Sequence, residues 1–312
     1  MVDKTSKVQQ RRVKEQNENL YRRGAKNEVA NLYRRRIEIE QRRKMKRKRR
    51  AQRIYRLFFM ITILSGIVIG IKMGVTQLSL FMSEESMASE KLNDKRKQMY
   101  HDIMEKKSEY PEMLIEAMEG NEELTEFVYH YKDREEYQNE KVSVENEVEK
   151  GKIPLFMQWD LRWGYNAYGN NMIGISGCGP TCLSMVAVGL TQNTKYTPDA
   201  VAEYSEENRY VVNGNTAWAL MYEGAEHFGI TGQEIGLDQS QIESYLKNGN
   251  PIICSMRPGD FTTTGHFIVL TGIKEGKIIV NDPNSRIRSE KLWDFKQIQG
   301  QIKNLWMFSK VD

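Results

Sequence analysis

Residues 175–185 read ISGCGPTCLSM, and this stretch decides how the rest of the chain is read. Pro180 suits the first turn of a helix, where no amide donor is needed. Leu183, Val186, Ala187 and Leu190 then recur at helical spacing and predict the buried face of that helix. Cys178 therefore sits at a helix mouth, between Gly177 and Gly179. A thiol is a useful nucleophile only as thiolate, and the positive end of a helix and a nearby imidazole both favour that form. Flanking glycines let a substrate backbone approach, and the first amide of the helix points to where an oxyanion would form. Most free cysteines are instead small buried hydrophobes. That use fits Cys182, one turn further in, and Cys254, in the apolar run ICSM at 253–256. Three cysteines cannot all pair, so no disulfide framework is expected.

Working outward towards the C-terminus, Thr197-Pro198 predicts a second helix ending near Asn208. TAWALMYEGAEHF, residues 216–228, predicts a third, stopped by Gly229. Asp238 with Gln241 opens a fourth as a capping box, ended by Gly249. Strands follow at 253–256, at HFIVLTGI (266–273), at KIIVND (277–282) and near Leu305–Phe308, with Lys274-Glu275-Gly276 as a hairpin turn. Helices first and antiparallel strands afterwards argue for an α+β fold rather than alternating βαβ units.

A cysteine nucleophile needs a base oriented by a third group. Residues 151–312 hold two histidines, His227 and His266. His227 reads as a helix-end residue. His266 opens a strand, and Asp282 ends the partnering one, so a hairpin brings them side by side. Gln158, in PLFMQWDLRWG, stands 20 positions before Cys178, and its amide can donate to an oxyanion. These cysteines and histidines have no zinc-ligand spacing, so no metal or other cofactor is expected.

GCGPTCLSM, TGHFIVL, VNDPNS and MQWDLRWG together resemble the bacterial C39-like cysteine peptidases, relatives of the bacteriocin-leader-processing domain. The resemblance spans about residues 153–310. It implies a papain-like fold with Cys178 as nucleophile, His266 as base, Asp282 as orienting carboxylate and Gln158 as oxyanion donor. YPEMLIEAM, from Tyr110, resembles the segment ahead of such domains in free-standing Gram-positive members. The leader-processing enzymes are fused to a transporter, whereas this chain has one apolar run and no Walker A motif. A cell-wall hydrolase cutting peptidoglycan stem peptides, and a non-catalytic binding module, are the rival readings.

Upstream, the charge pattern splits. Residues 1–56 hold 21 Lys+Arg and 6 Asp+Glu, leaving 46 − 21 = 25 basic and 42 − 6 = 36 acidic residues beyond them. LFFMITILSGIVIGI, Leu57–Ile71, carries no charge and lies beside RRKMKRKRR, Arg42–Arg50. Roughly 20 apolar residues span a bilayer, and basic flanks stay inside. Residues 1–53 therefore read as a basic cytoplasmic tail on anionic lipid rather than a nucleic-acid binder. Residues 54–76 read as one uncleaved transmembrane anchor, 77–150 as an extracellular helical stalk, and 151–312 as the peptidase domain. Within the stalk, Met113, Leu114, Ala117 and Met118 predict a short helix after Pro111, and Leu124, Phe127, Val128 and Tyr131 a second. Two helices this short need the following domain to pack on. Residues 83–107 read as a spacer and 141–150 as a polar link. The expected partners are the membrane and a peptide or protein substrate outside the cell.

Overall fold

The computed structural model describes residues 91–138 and 142–311, with Lys14, Met45 and Met60 as isolated positions. The expected anchor at 54–76 thus lies, but for Met60, outside the described residues, as does nearly all of the basic tail. No described helix is long and apolar enough to cross a membrane.

A six-stranded antiparallel sheet forms the frame: β1 (Ile230–Glu234), β2 (Ile252–Met256), β3 (His266–Lys274), β4 (Lys277–Asn281), β5 (Leu292–Trp293) and β6 (Ile302–Lys310). Their spatial order is β1-β6-β2-β3-β4-β5. Side chains alternate across the central strands, as the pleat requires. Phe267 and Val269 of β3 join a core with Leu183 and Val186 of the Cys178 helix. Ile268 and Leu270 face the opposite core, with Cys254, Ile242 and Leu246. Both faces are therefore covered, and each fully buried Ile or Leu contributes roughly 1.5–3 kcal/mol. The β3–β4 turn places Glu275 at φ 54° and Gly276 at φ 73°, the left-handed pair that a tight hairpin demands.

Helices α1 (91–105), α2 (Glu112–Gly120) and α3 (Thr125–Tyr129) precede this frame. They build a third core from Ile103, Leu114, Ile115, Met118, Leu124, Phe127 and Val128, closed by Tyr165. Phe127 stacks on Tyr165 at 4.6 Å between centroids. The helices thus pack on the following domain, and α1 does more than space them: Met99 and Ile103 are buried. Residues 142–149 are likewise more than a polar link, because Val144 is buried in the first core.

Four further elements, α4 (Cys178–Thr191), α5 (Pro198–Glu207), α6 (Gln239–Lys247) and α7 (Arg286–Glu290), complete the set needed here. Several expectations need correction. Every residue from Gly179 to Gly189 of α4 is buried, not one stripe, because α4 lies between the sheet and α5. Residues 216–228 do not form one helix. Asn215–Thr216 belongs to a two-strand ladder, and two 3-10 turns follow, Trp218–Met221 and Gly224–Phe228. The backbone leaves helical geometry at Tyr222, φ −123° and ψ −45°, which divides the segment. Thr197 makes no side-chain capping bond. Asp238 caps α6 by accepting from Gln241 N at 2.8 Å, while the Gln241 side chain turns to Tyr245. On α2, Met113 is exposed and Ile115 takes the buried position.

Candidate active site

Gly177 forms the N-cap of α4 and Cys178 its first residue. The two glycines are there for the protein's own packing. A Cβ at Gly177 would stand 2.6 Å from Ile173 O, and one at Gly179 2.5 Å from Thr216 Oγ1. All three thiols are free; Cys178 is half-buried, whereas Cys182 and Cys254 are buried. Burial pushes the Cys182 and Cys254 thiols well up.

His266, the first residue of β3, pairs with Met256 of β2, which fixes its backbone. Asp282 follows the last residue of β4 and is fully buried. His266 Nε2 lies 2.7 Å from Asp282 Oδ1. Cys178 and His266 line the same cleft, and Nδ1 is the ring nitrogen that Asp282 does not take. Burial alone pulls the His266 pKa down from 6.5. The Asp282 charge and hydrogen bond, with the Cys178 bond, outweigh it and raise the pKa to about 10. Burial pushes the Asp282 carboxyl up, but His266 and Arg288 hold it below its ordinary 3.8. Asp282 Oδ1 also accepts from Asn284 N at 2.8 Å, and Oδ2 accepts from Arg288 Nε.

Gln158 is tied to the Asp282 turn through its backbone, Gln158 N donating to Pro283 O at 2.8 Å. Its Nε2 donates to Gly174 O at 3.0 Å and Ile175 O at 3.2 Å, while its buried Oε1 has no partner. His227, by contrast, stacks on Tyr204 at 4.1 Å and is exposed.

Cys178, His266 and Gln158 line one cleft of about 440 Å³. The loop 259–265 closes one side. Glu116, Ala117, Gly120, Asn121 and Leu124 from the preceding helical segment line the other, and Asn284 and Arg288 also line it. Asp282 sits behind His266. Sequence reasoning missed Arg288 and Asn284; the signal was the turn Asp282-Pro-Asn-Ser285 and a base three residues after its Ser cap. Among the described residues, His101, Asp102 and Glu105 on α1 bring metal-capable atoms within 4.8 Å of one another. They do not line the cleft, and His101 faces Glu105 at 3.6 Å.

The sequence model of the Peptidase_C39 like family matches residues 150–309, just over half of the chain. No curated protein matches. Among solved structures, the peptidase domain of Streptococcus ComA, a bi-functional ABC transporter involved in a quorum-sensing pathway, is 22% identical. That alignment covers 44% of this chain and 92% of the other, with a TM-score of 0.34. A double glycine motif protease from an AMS/PCAT transporter, in complex with the leader peptide, is 15% identical. It covers 55% of this chain and 100% of the other, with a TM-score of 0.32.

Proposed function

The chain belongs to the Peptidase_C39 like family, and from that premise we propose that it is an active cysteine peptidase in which Cys178, His266 and Asp282 form the catalytic triad. The observation that carries this reading is the constellation in one cleft: a half-buried cysteine at a helix mouth, a histidine lining the same cleft, and a buried carboxylate 2.7 Å from that histidine's Nε2.

In this mechanism the Cys178 sulfur is the nucleophile and its proton is held on His266 Nδ1. The sulfur attacks the peptide carbonyl carbon and the oxygen takes the negative charge. As that tetrahedral species collapses, the C–N bond breaks and His266 Nδ1 gives its proton to the leaving amine. A thioester remains. The neutral ring then takes a proton from water, the hydroxide adds to the thioester, and the C–S bond breaks to release the acid. Asp282 holds the Nε2 hydrogen, so the ring keeps the orientation both steps need. The Cys178 amide, in a helix turn whose first amides lack intrahelical partners, and Gln158 Nε2 receive the oxyanion. For Gln158 this means releasing the longer of its two bonds, to Ile175 O at 3.2 Å.

The catalytic unit works outside the cell, tethered by residues 54–76, with the basic tail inside. The +15 charge of residues 1–56 (21 − 6) supports that orientation. The test is peptide profiling: purified wild-type chain and Cys178→Ala are incubated with peptides and proteins stripped from a Gram-positive surface, and with purified wall stem peptides. New termini in the protein fraction with wild type alone support the peptidase. Cuts confined to wall peptides would make it a wall hydrolase, and identical profiles would leave a binding module.

A further inference from the structure

The segment ahead of residue 150 lies outside the family match, yet it forms one wall of the cleft. Its most unusual member is Glu123, a carboxylate that is only 9% exposed. A carboxylate is buried at considerable cost unless its oxygens accept hydrogen bonds. Glu123 Oε1 accepts from Ser285 Oγ and Oε2 from Arg286 N at 2.8 Å. Both donors stand at the start of α7, whose cap is Ser285, its Oγ accepting from Arg288 N at 3.1 Å. A helix of five residues cannot hold itself together and needs such outside partners. From α7, Arg288 Nε reaches Asp282 Oδ2, the oxygen that His266 does not use.

A second link runs in parallel. Asn121 Nδ2 donates to Asn284 O at 2.6 Å, and Asn284 N in turn donates to Asp282 Oδ1 at 2.8 Å. Asn121 Oδ1 accepts from Glu123 N, so the two links share one rigid turn. Each oxygen of Asp282 therefore traces back to residues 121–123.

We infer that Glu123 is a positioning residue for the triad: it clamps the start of α7 so that Arg288 and Asp282 hold His266 towards Cys178. The inference rests on the peptidase reading above, and it makes the preceding helical segment part of the catalytic unit rather than a passive support. Losing the Glu123 charge lets α7 shift, and the His266–Asp282 bond loosens although neither residue has changed.

The experiment is iodoacetamide labelling of Cys178 in the full chain across pH 5–9, in wild type, His266→Ala, Glu123→Gln and Asn121→Ala, with thermal unfolding measured on each. Glu123→Gln is expected to slow labelling at pH 6 about tenfold, and Asn121→Ala about threefold. Both should move the labelling curve to higher pH, which a loss of stability alone would not do. A folded Glu123→Gln that labels at the wild-type rate and pH overturns the inference. If Glu123→Gln does not fold, Asn121→Ala decides, since it leaves no buried carboxylate unpaired; an unchanged curve there overturns the inference. Wild type and His266→Ala labelling alike is a different result, which would remove the peptidase reading itself.

Discussion

The two walls of the cleft are built on different principles. One, from residues 150–309, carries its chemistry on rigid elements: Cys178 on the first turn of a buried helix, His266 at the start of a central strand. The other, from α2 and α3, carries no proposed catalytic group and meets the first through close packing. A Cβ on Gly174 would stand 2.3 Å from the Phe127 ring, and Tyr165 donates to Phe127 O at 2.5 Å. On the proposed reading, the reacting atoms come from the family domain, while their alignment is shared with a segment the family match does not include.

The largest test of that division falls on the chemical wall. Cys178→Ala should lower peptide hydrolysis on the order of 10⁴-fold or more, with both walls still folded; residual turnover near wild type would move the nucleophile elsewhere. Asp282→Asn should cost on the order of 10³–10⁴-fold by releasing the ring, read as kcat on a substrate found by profiling. A loss there of less than tenfold would take Asp282 out of the triad.

The packing wall is tested next. Phe127→Ala should cost about 3–5 kcal/mol of stability, because the ring is fully buried between Tyr165 and the glycine turn. Calorimetry should show one transition at lower temperature. Two transitions would mean the helical wall melts by itself, and the comparison would have to be redrawn as a domain with a loose attachment.

Stability against pH sharpens the electrostatic side. The folded pKa of His266, about 10, lies above its ordinary 6.5. Its contribution is therefore complete below 6.5 and is lost as pH rises through 10. Asp282 is depressed, so its contribution is present above 3.8 and lost as pH falls further, through its lower folded value. Wild type should lose stability between pH 6.5 and 10 more steeply than His266→Gln; parallel curves would contradict the pairing. At the small end, Met113→Ala on the exposed face of α2 should stay within about 0.5 kcal/mol of wild type by chemical denaturation. A larger cost would place that residue against something in solution.

The chemical wall was legible because strong local signals coincide there. The Gly-Cys-Gly-Pro helix mouth and the apolar strand runs on either side of Lys274-Glu275-Gly276 are strong local signals, and a hairpin between those strands places His266 near Asp282. The packing wall was legible only as short amphipathic helices that need a partner. Ile115 displaces Met113 from the buried face because contact with the neighbouring domain, not spacing within nine residues, selects the stripe. Glu123 lies in EGNEELTE, where an acidic side chain is ordinarily solvated, and nothing local marks it as buried. Arg288 was missed although the turn Asp282-Pro-Asn-Ser285 marks a helix start, because its pairing with Asp282 is set only by the folded turn after β4. The helix expected at 216–228 failed at Tyr222, where the backbone turns out of helical geometry between two 3-10 turns.

The central claim is that Cys178 is the working thiol because of His266, and the three cysteines of one molecule supply their own controls. Iodoacetamide at pH 6, with each site read by peptide mass, compares them directly in the full chain. Cys178 should label first and slow markedly in His266→Ala, while Cys182 and Cys254 stay nearly unlabelled at 0% exposure. Faster labelling at Cys182 or Cys254, or a Cys178 rate indifferent to His266→Ala, would contradict the account.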